Sequence, residues 1–250
     1  MPDRFTLIFD IDGTYSETEE THREAFNQTF SEYGLPWQWD RPMYKELLKV
    51  TGGKERMRHF IERFDPEGGE RALPLIPEIH AAKTKRYTAM IDAGAAQPRP
   101  GIKRLLDEAA TVGWPVAIAT TTSMPNVESL IIATLGQDGM RRFASIGAGD
   151  VIANKKPAPD IYNYVLDELK IAPEEAIAFE DSINGYRSAG DAGLRSIITP
   201  STYTEDEDFT GAFAVMSDLG EPAAPYRHIS GAGGDDTMVT PDALARWLAR

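Results

Sequence analysis

Four short segments bring acids, hydroxyls or an amine up against apolar runs. The first is Phe9-Asp10-Ile11-Asp12-Gly13-Thr14. Two carboxylates one residue apart point to opposite faces of a continued strand. If the strand ends at Asp10 and the chain turns at Gly13, both can face one pocket. Asp-Gly is also an ordinary turn signal. A turn does not explain why Asp10 abuts Leu7, Ile8 and Phe9, where a charge is costly unless a cation or partner meets it. The second segment, Ala119-Thr120-Thr121-Thr122-Ser123, offers hydroxyls and backbone N–H groups suited to phosphoryl oxygens. Alone it reads more readily as a strand end, since threonine suits strands. The third, Lys155-Lys156-Pro157, supplies an amine able to neutralise phosphate and carboxylate, although a lysine pair by itself is an ordinary solvated loop. The fourth, Ile177-Ala178-Phe179-Glu180-Asp181-Ser182, ends an apolar run on two acids, with Asn184-Gly185 following. Hard oxygen ligands in such places favour Mg²⁺, which keeps several waters and takes few carboxylates.

These residues need elements to position them. Apolar runs at Thr6–Ile11, Val116–Ala119, Ala176–Phe179 and Ser196–Ile198 predict strands, with weaker candidates at Ala144–Ile146 and Ala212–Val215. Near-continuous apolar runs suit strands covered on both faces. Helical patterns near 101–112, 125–135, 158–169 and 183–192 supply crossovers. The alternation predicts an α/β, doubly wound, mainly parallel sheet with its site at the strand C-termini. One interval breaks the rhythm. Residues 17–97 hold amphipathic, charge-rich stretches at Glu24–Tyr33, Tyr44–Val50, Arg56–Phe64 and Glu78–Ile91, and no convincing strand. An inserted helical module fits this better than one long crossover. Glu221–Thr237 is rich in Gly, Pro and Ala and reads as a loose linker; Thr240-Pro241-Asp242 then opens a short terminal helix. The expected division is therefore a core of 1–16 and 98–220, an all-helical cap of 17–97, and a linker with terminal helix over 221–250.

Composition narrows the functional classes. Against 39 Asp+Glu there are 26 Lys+Arg, a net charge of -13. So acidic a chain argues against nucleic acid or an anionic membrane as partner. It also means that any anionic substrate must find its positive charge locally. The absence of cysteine excludes disulfides, thiolate metal sites and thiol nucleophiles. The N-terminal apolar run is broken by Asp10 and lacks a secretory pattern, and no apolar run approaches membrane-spanning length. A cytoplasmic monomer acting on a small molecule is the expectation.

The four segments, in this order, resemble the haloacid dehalogenase superfamily, whose members carry the same Asp-x-Asp-Gly, Ser/Thr-ended strand, Lys-Pro and Glu-Asp elements. Glu17, Thr18 and His22, the long helical insertion, Thr51-Gly52-Gly53-Lys54-Glu55-Arg56 and Lys156-Pro157-Ala158-Pro159-Asp160 resemble its CbbY branch. The likeness runs from the first strand to about residue 210 and leaves out the tail. It implies a Rossmann-like core with a helical cap closing over the site. It further implies that Asp10 is a nucleophile forming an aspartyl-phosphate and Asp12 the acid and then the base. Thr120, with the N–H groups around Thr121 and Thr122, would hold the transferring oxygens, and Lys156 would balance charge. Lys156 is preferred to Lys155 because the family lysine directly precedes proline. Mg²⁺ would lie among the Asp10 carboxylate, the Asp12 carbonyl and Asp181, with Glu180 ligating or ordering a bound water. Tyr15 stands where the family usually has a small aliphatic residue.

In the insertion, Gly52-Gly53 lets backbone approach a ligand, while Lys54 and Arg56 add positive charge; from residues alone a helix start with solvated charges is an equal reading. The resemblance favours substrate binding by Thr51, Gly52, Gly53, Lys54, Glu55 and Arg56, through a second phosphate or sugar hydroxyls. Glu17 is a candidate hydroxyl acceptor. His22 is better read as orienting Asp12 or the cap than as a metal ligand, since no second histidine has compatible spacing. His80 and Lys83 are possible cap contacts, and Tyr44 either lines the cap or packs inside it. The branch implies phosphatases acting on xylulose 1,5-bisphosphate. Two alternatives stay open: a β-phosphoglucomutase-like transferase, and an inactive sugar-phosphate-binding protein. Asp12 disfavours dehalogenation, since a halide leaves without a proton.

Overall fold

The computed structural model describes residues 4–249. Strand β1 (Thr6–Phe9) stops immediately before Asp10. Five helices follow: α1 (Glu19–Glu32), α2 (Arg41–Leu48), α3 (Gly53–Phe64), the single turn α4 (Gly69–Ala72) and α5 (Ile76–Asp92). The chain then alternates through α6 (Ile102–Val112), β2 (Val116–Thr120), α7 (Met124–Leu135), β3 (Ser145–Ala148), α8 (Asp160–Leu169), β4 (Ala176–Glu180), α9 (Ile183–Asp191) and β5 (Arg195–Ile198). It ends with β6 (Ala214–Met216), β7 (His228–Gly231) and α10 (Pro241–Leu248).

The strands form one sheet in the order β3-β2-β1-β4-β5-β6-β7. The first six are parallel and β7 is antiparallel to β6. Every residue of β1, β2 and β4 is buried, which is why these strands read as unbroken apolar runs. Alternate residues serve opposite layers. Leu7, Phe9, Ile118 and Phe179 pack beneath α6, α7 and α10, whereas Ile8, Ala117 and Ala178 pack beneath α8 and α9. β1 lies between β2 and β4, with Phe9 opposite both Ile118 and Phe179. Asp10, Thr120, Glu180 and Asp181 therefore emerge together at one edge, where a doubly wound sheet opens its site.

Helices α1 to α3 and α5 enclose a second core of Phe26, Phe30, Trp39, Tyr44, Phe60 and Ile79. Phe30 and Trp39 meet edge to face with centroids 4.7 Å apart, as do Trp39 and Phe60 at 5.4 Å. Asp40 caps α2, accepting from the Met43 amide at 2.8 Å. Among the described residues, every regular element between β1 and α6 is a helix.

The expected loose linker over Glu221–Thr237 is a correction. This segment contains β7, the seventh strand of the sheet. Tyr226, Val239, Leu244, Trp247 and Leu248 all belong to the main core. Arg104 of α6 donates to the carbonyls of Leu219, Gly220 and Val239, at 2.8 to 3.0 Å, and ties the segment down. Its glycines mark tight reversals rather than slack: Gly231 and Gly233 have φ of 76° and 92°. The terminal helix begins as its residues predict, with the Ala243 amide bonded to Thr240 Oγ1 at 3.0 Å.

Candidate active site

The site lies at the C-terminal ends of β1, β2 and β4, beneath the helical insertion. The Asp10 amide donates to the Phe179 carbonyl at 3.0 Å, locking the end of β1 to β4. Gly13 turns the chain with φ of 84°, and a Cβ there would stand 2.1 Å from Asp181 Oδ2. Gly185 does the same for the other acid, since a Cβ would fall 1.8 Å from Glu180 Oε2. Both glycines leave room for carboxylates that the fold crowds together. Asp10, Glu180 and Asp181, all buried, each offer one oxygen within 4.8 Å of the others.

Lys156 joins this group from the loop before α8. Its Nζ donates to Asp10 Oδ1 at 2.8 Å, Ala119 O at 2.9 Å and Glu180 Oε1 at 2.5 Å. Burial opposes its charge, but Asp10 and Glu180 more than offset this and raise its pKa. One ammonium does not balance three carboxylates. Burial, only partly countered by Lys156, raises Asp10 and pushes Glu180 up to about 7. Burial and the neighbouring Asp10 raise Asp181 well above the usual carboxylate range. Glu180 Oε2 is buried with no hydrogen-bond partner, although Tyr162 donates to Oε1 at 2.5 Å. An unpartnered oxygen in an excess of negative charge fits a hard divalent cation.

Asp12 turns its carboxylate the other way. Oδ1 accepts from Thr18 Oγ1 at 2.5 Å and lies 3.0 Å from His22 Nε2. Lys83 Nζ reaches His22 Nδ1 at 2.5 Å, and the imidazole stacks on Tyr87 at 4.0 Å. Burial alone would raise Asp12, but His22, Thr18 and Lys83 outweigh it and bring its pKa to about 2. Burial and the facing Lys83 lower His22 to about 4. Burial likewise lowers Lys83 to about 7, against the pull of Asp12. A lysine donating to Nδ1 leaves the Nε2 hydrogen to point at Asp12.

A cavity of ≈ 540 Å³ opens over these groups. The core lines it with Asp10, Asp12, Thr120, Thr121, Thr122 and Lys156. The insertion contributes Thr51 to Arg56, His22, His80 and Lys83, so most of the sequence-derived candidates converge here. Thr51 Oγ1 donates to the Lys156 carbonyl, tying the two layers together. The Thr122 amide meets Thr120 Oγ1 at 3.3 Å, and Thr122 Oγ1 accepts from Asn126 at 3.0 Å.

Glu17 sits elsewhere, and Tyr44 takes the packed of its two alternatives. Glu17 is exposed outside this cavity, accepting from Thr202 Oγ1 at 3.3 Å with Arg99 3.5 Å away. It lies in the extended stretch before α1. Glu19, the first residue of that helix, lines the cavity instead. Tyr44 is fully buried behind the lining; it donates to Glu19 Oε2 at 2.9 Å and accepts from Arg56 at 2.9 Å. Tyr15 packs in the main core, its hydroxyl 2.8 Å from Thr134. Sequence reasoning missed Glu19, Tyr162 and Asp150, and set Lys155 aside in favour of Lys156. Glu19 meets Tyr44 and Tyr162 meets Glu180, partners 25 and 18 positions away; Asp150 lies five residues from Lys155, but its other lysine, Lys54, is 96 positions away.

A model of haloacid dehalogenase-like hydrolases matches residues 7–199. The CbbY protein of Cereibacter sphaeroides is 49% identical over 215 residues, covering 86% of this chain and 92% of that protein. The crystal structure of CbbY from Rhodobacter sphaeroides with phosphate superposes with a TM-score of 0.82 at 48% identity, over 88% of this chain and 98% of that one. A mutant of that protein, in complex with xylulose-(1,5)bisphosphate, gives 0.81 at 47% identity with the same coverage.

Proposed function

The chain belongs to the haloacid dehalogenase-like hydrolase family, and from that premise we propose that it is a Mg²⁺-dependent sugar-phosphate phosphatase. Its substrate on this reading is xylulose 1,5-bisphosphate, the ligand of a relative whose fold it shares at 47% identity. The observation that carries the reading is the buried convergence of Asp10, Glu180 and Asp181, with Lys156 paired to the first two and Asp12 lining the same cavity.

Asp10 acts as nucleophile. Its carboxylate oxygen attacks phosphorus, the bond to the sugar oxygen breaks, and an aspartyl-phosphate forms. Lys156 holds Asp10 at 2.8 Å and offsets the charge gathered there. Asp12 gives the departing sugar oxygen a proton and then takes one from the water that cleaves the intermediate. At a pKa of about 2 it is ionised before substrate arrives. A phosphate brought beside it adds negative charge and raises its hold on a proton, which Asp12 takes up from solvent as the substrate enters and then passes to the leaving oxygen. Thr120 and the amides beyond it hold the transferring oxygens. Asp10, Asp181 and the Asp12 carbonyl would hold Mg²⁺, with Glu180 close by. When bound, the ion neutralises negative charge on the phosphoryl oxygens. Residues 17–97 cover the site and exclude water, while 4–16 and 98–249 form the catalytic unit. The working unit is a single chain in the cytoplasm.

A phosphate-release screen over mono- and bisphosphorylated sugars, with and without Mg²⁺, tests this reading. Inorganic phosphate released from xylulose 1,5-bisphosphate only with Mg²⁺ is the expected result. A phosphate-shifted isomer without release would make the chain a mutase, and no turnover would make it a binding protein. Asp10→Asn should lower kcat by a factor on the order of 10⁴ or more and leave thermal unfolding unchanged.

A further inference from the structure

One acid on the cavity rim belongs to neither the cation group nor the Asp12 relay. Asp150 follows β3 and is 68% exposed at its side chain. Two lysines grip it from opposite layers. Lys54 of α3 donates to Oδ2 at 2.7 Å, and Lys155, from the loop before α8, donates to Oδ1 at 2.9 Å. Lys155 is only 10% exposed and also donates to the Gly149 carbonyl. His80 stands next to this group in the cavity wall, its imidazole lowered to about 3 by burial and by Lys83 and Lys54. The arrangement is two ammonium groups around one carboxylate, facing a cavity in an otherwise acidic chain.

Resting on the bisphosphate reading above, we infer that Asp150 occupies with its own carboxylate the Lys54–Lys155 pair that takes the substrate's second phosphate, and so acts as a built-in competitor that weakens bisphosphate binding. A carboxylate brings one negative charge and two acceptor oxygens. A phosphate monoester brings nearly two charges and three acceptors, so it outcompetes Asp150 for both lysines. A weaker anion does not. Asp150 thus screens the pair until a ligand with a second phosphate arrives, and the same contact joins insertion to core meanwhile.

The test reads inhibition of p-nitrophenyl phosphate hydrolysis by xylulose 1,5-bisphosphate and by inorganic phosphate, in Mg²⁺. Asp150→Asn should tighten the bisphosphate roughly 3- to 5-fold, the scale of an exposed ion pair, and leave inorganic phosphate within 2-fold by the same scale. Lys155→Met should weaken the bisphosphate about 10-fold, the scale of a lost charge-assisted bond, again sparing inorganic phosphate. Asp206→Asn, which removes another cavity acid, paired with Lys45, controls for charge alone and should reproduce neither change. The inference is overturned if Asp150→Asn leaves bisphosphate inhibition unchanged or weaker, if both inhibitors shift alike, if Asp206→Asn matches it, or if Lys155→Met has no effect. Inhibition does not require the bisphosphate to be turned over. Failure of the wild type to release phosphate from it would therefore remove the substrate assignment while these comparisons still stand.

Discussion

At the scale of single residues, Asp12 shows how one side chain is readied for two roles. Thr18, His22 and, through His22, Lys83 all face it, so its resting form is the carboxylate. That form suits the water step, while the first step needs a proton supplied as substrate enters. Asp12→Ala should lower kcat by about 10²- to 10⁴-fold while inhibition by inorganic phosphate stays near wild type; single-turnover and steady-state assays check this. A variant as fast as wild type would remove Asp12 from the chemistry. The central residues were legible in the sequence because each is marked locally, as an acid, amine or hydroxyl at the end of an apolar run. Glu17 and Glu19 show where this fails. They differ by two positions, and only the start of α1 decides which of them enters the cavity. The Glu19–Tyr44–Arg56 chain depends on how α1, α2 and α3 pack on one another, and the Lys54–Asp150 pair on how insertion and core meet, which no local pattern records.

At the scale of elements, the parallel strands and their crossovers were readable because burial on both faces leaves a continuous apolar signature. The end of the chain was so only in part: Ala212–Val215 and the Thr240 cap pointed to β6 and α10, while β7 went unread. A three-residue β6 and a four-residue β7 are too short to show alternation, and β7 is mostly exposed. The buried residues around them are spaced by Gly, Pro and Ala, which suggested slack. Trp247 instead sits in the main core at 3% exposure, with its Nε1 donating to Asp236 at 2.8 Å. Trp247→Ala should cost roughly 3–5 kcal/mol, measured by denaturant unfolding. A loss under about 1 kcal/mol, the size of a surface change, would show that α10 is a dispensable attachment.

At the scale of the whole molecule, acidity and buried cations combine to set a pH limit. Burial, with help from Lys83 and Lys54, holds His80 at about 3, well below the free imidazole. Between about 6.5 and 3 the unfolded chain binds a proton at this position that the folded chain refuses. His80 therefore favours folding fully above that window, and its contribution drains away as pH falls through it. Going from pH 7 to pH 5 should cost wild type about 2 kcal/mol more stability than it costs His80→Gln. Denaturant midpoints at the two pH values check this, and parallel losses would assign the slope elsewhere. His22, shifted the same way to about 4, keeps its share in both proteins.

Four indoles divide evenly between the two cores: Trp37 and Trp39 lie among the helices of the insertion, Trp114 and Trp247 against the sheet. None is more than 8% exposed, so the native chain should emit at short wavelength. Replacing either pair with phenylalanine leaves the remaining pair as a fluorophore for one half of the protein alone. Red shifts that coincide on titration with urea would mean that cover and catalytic half melt as one body; separated shifts would mean that the cover opens or loosens first.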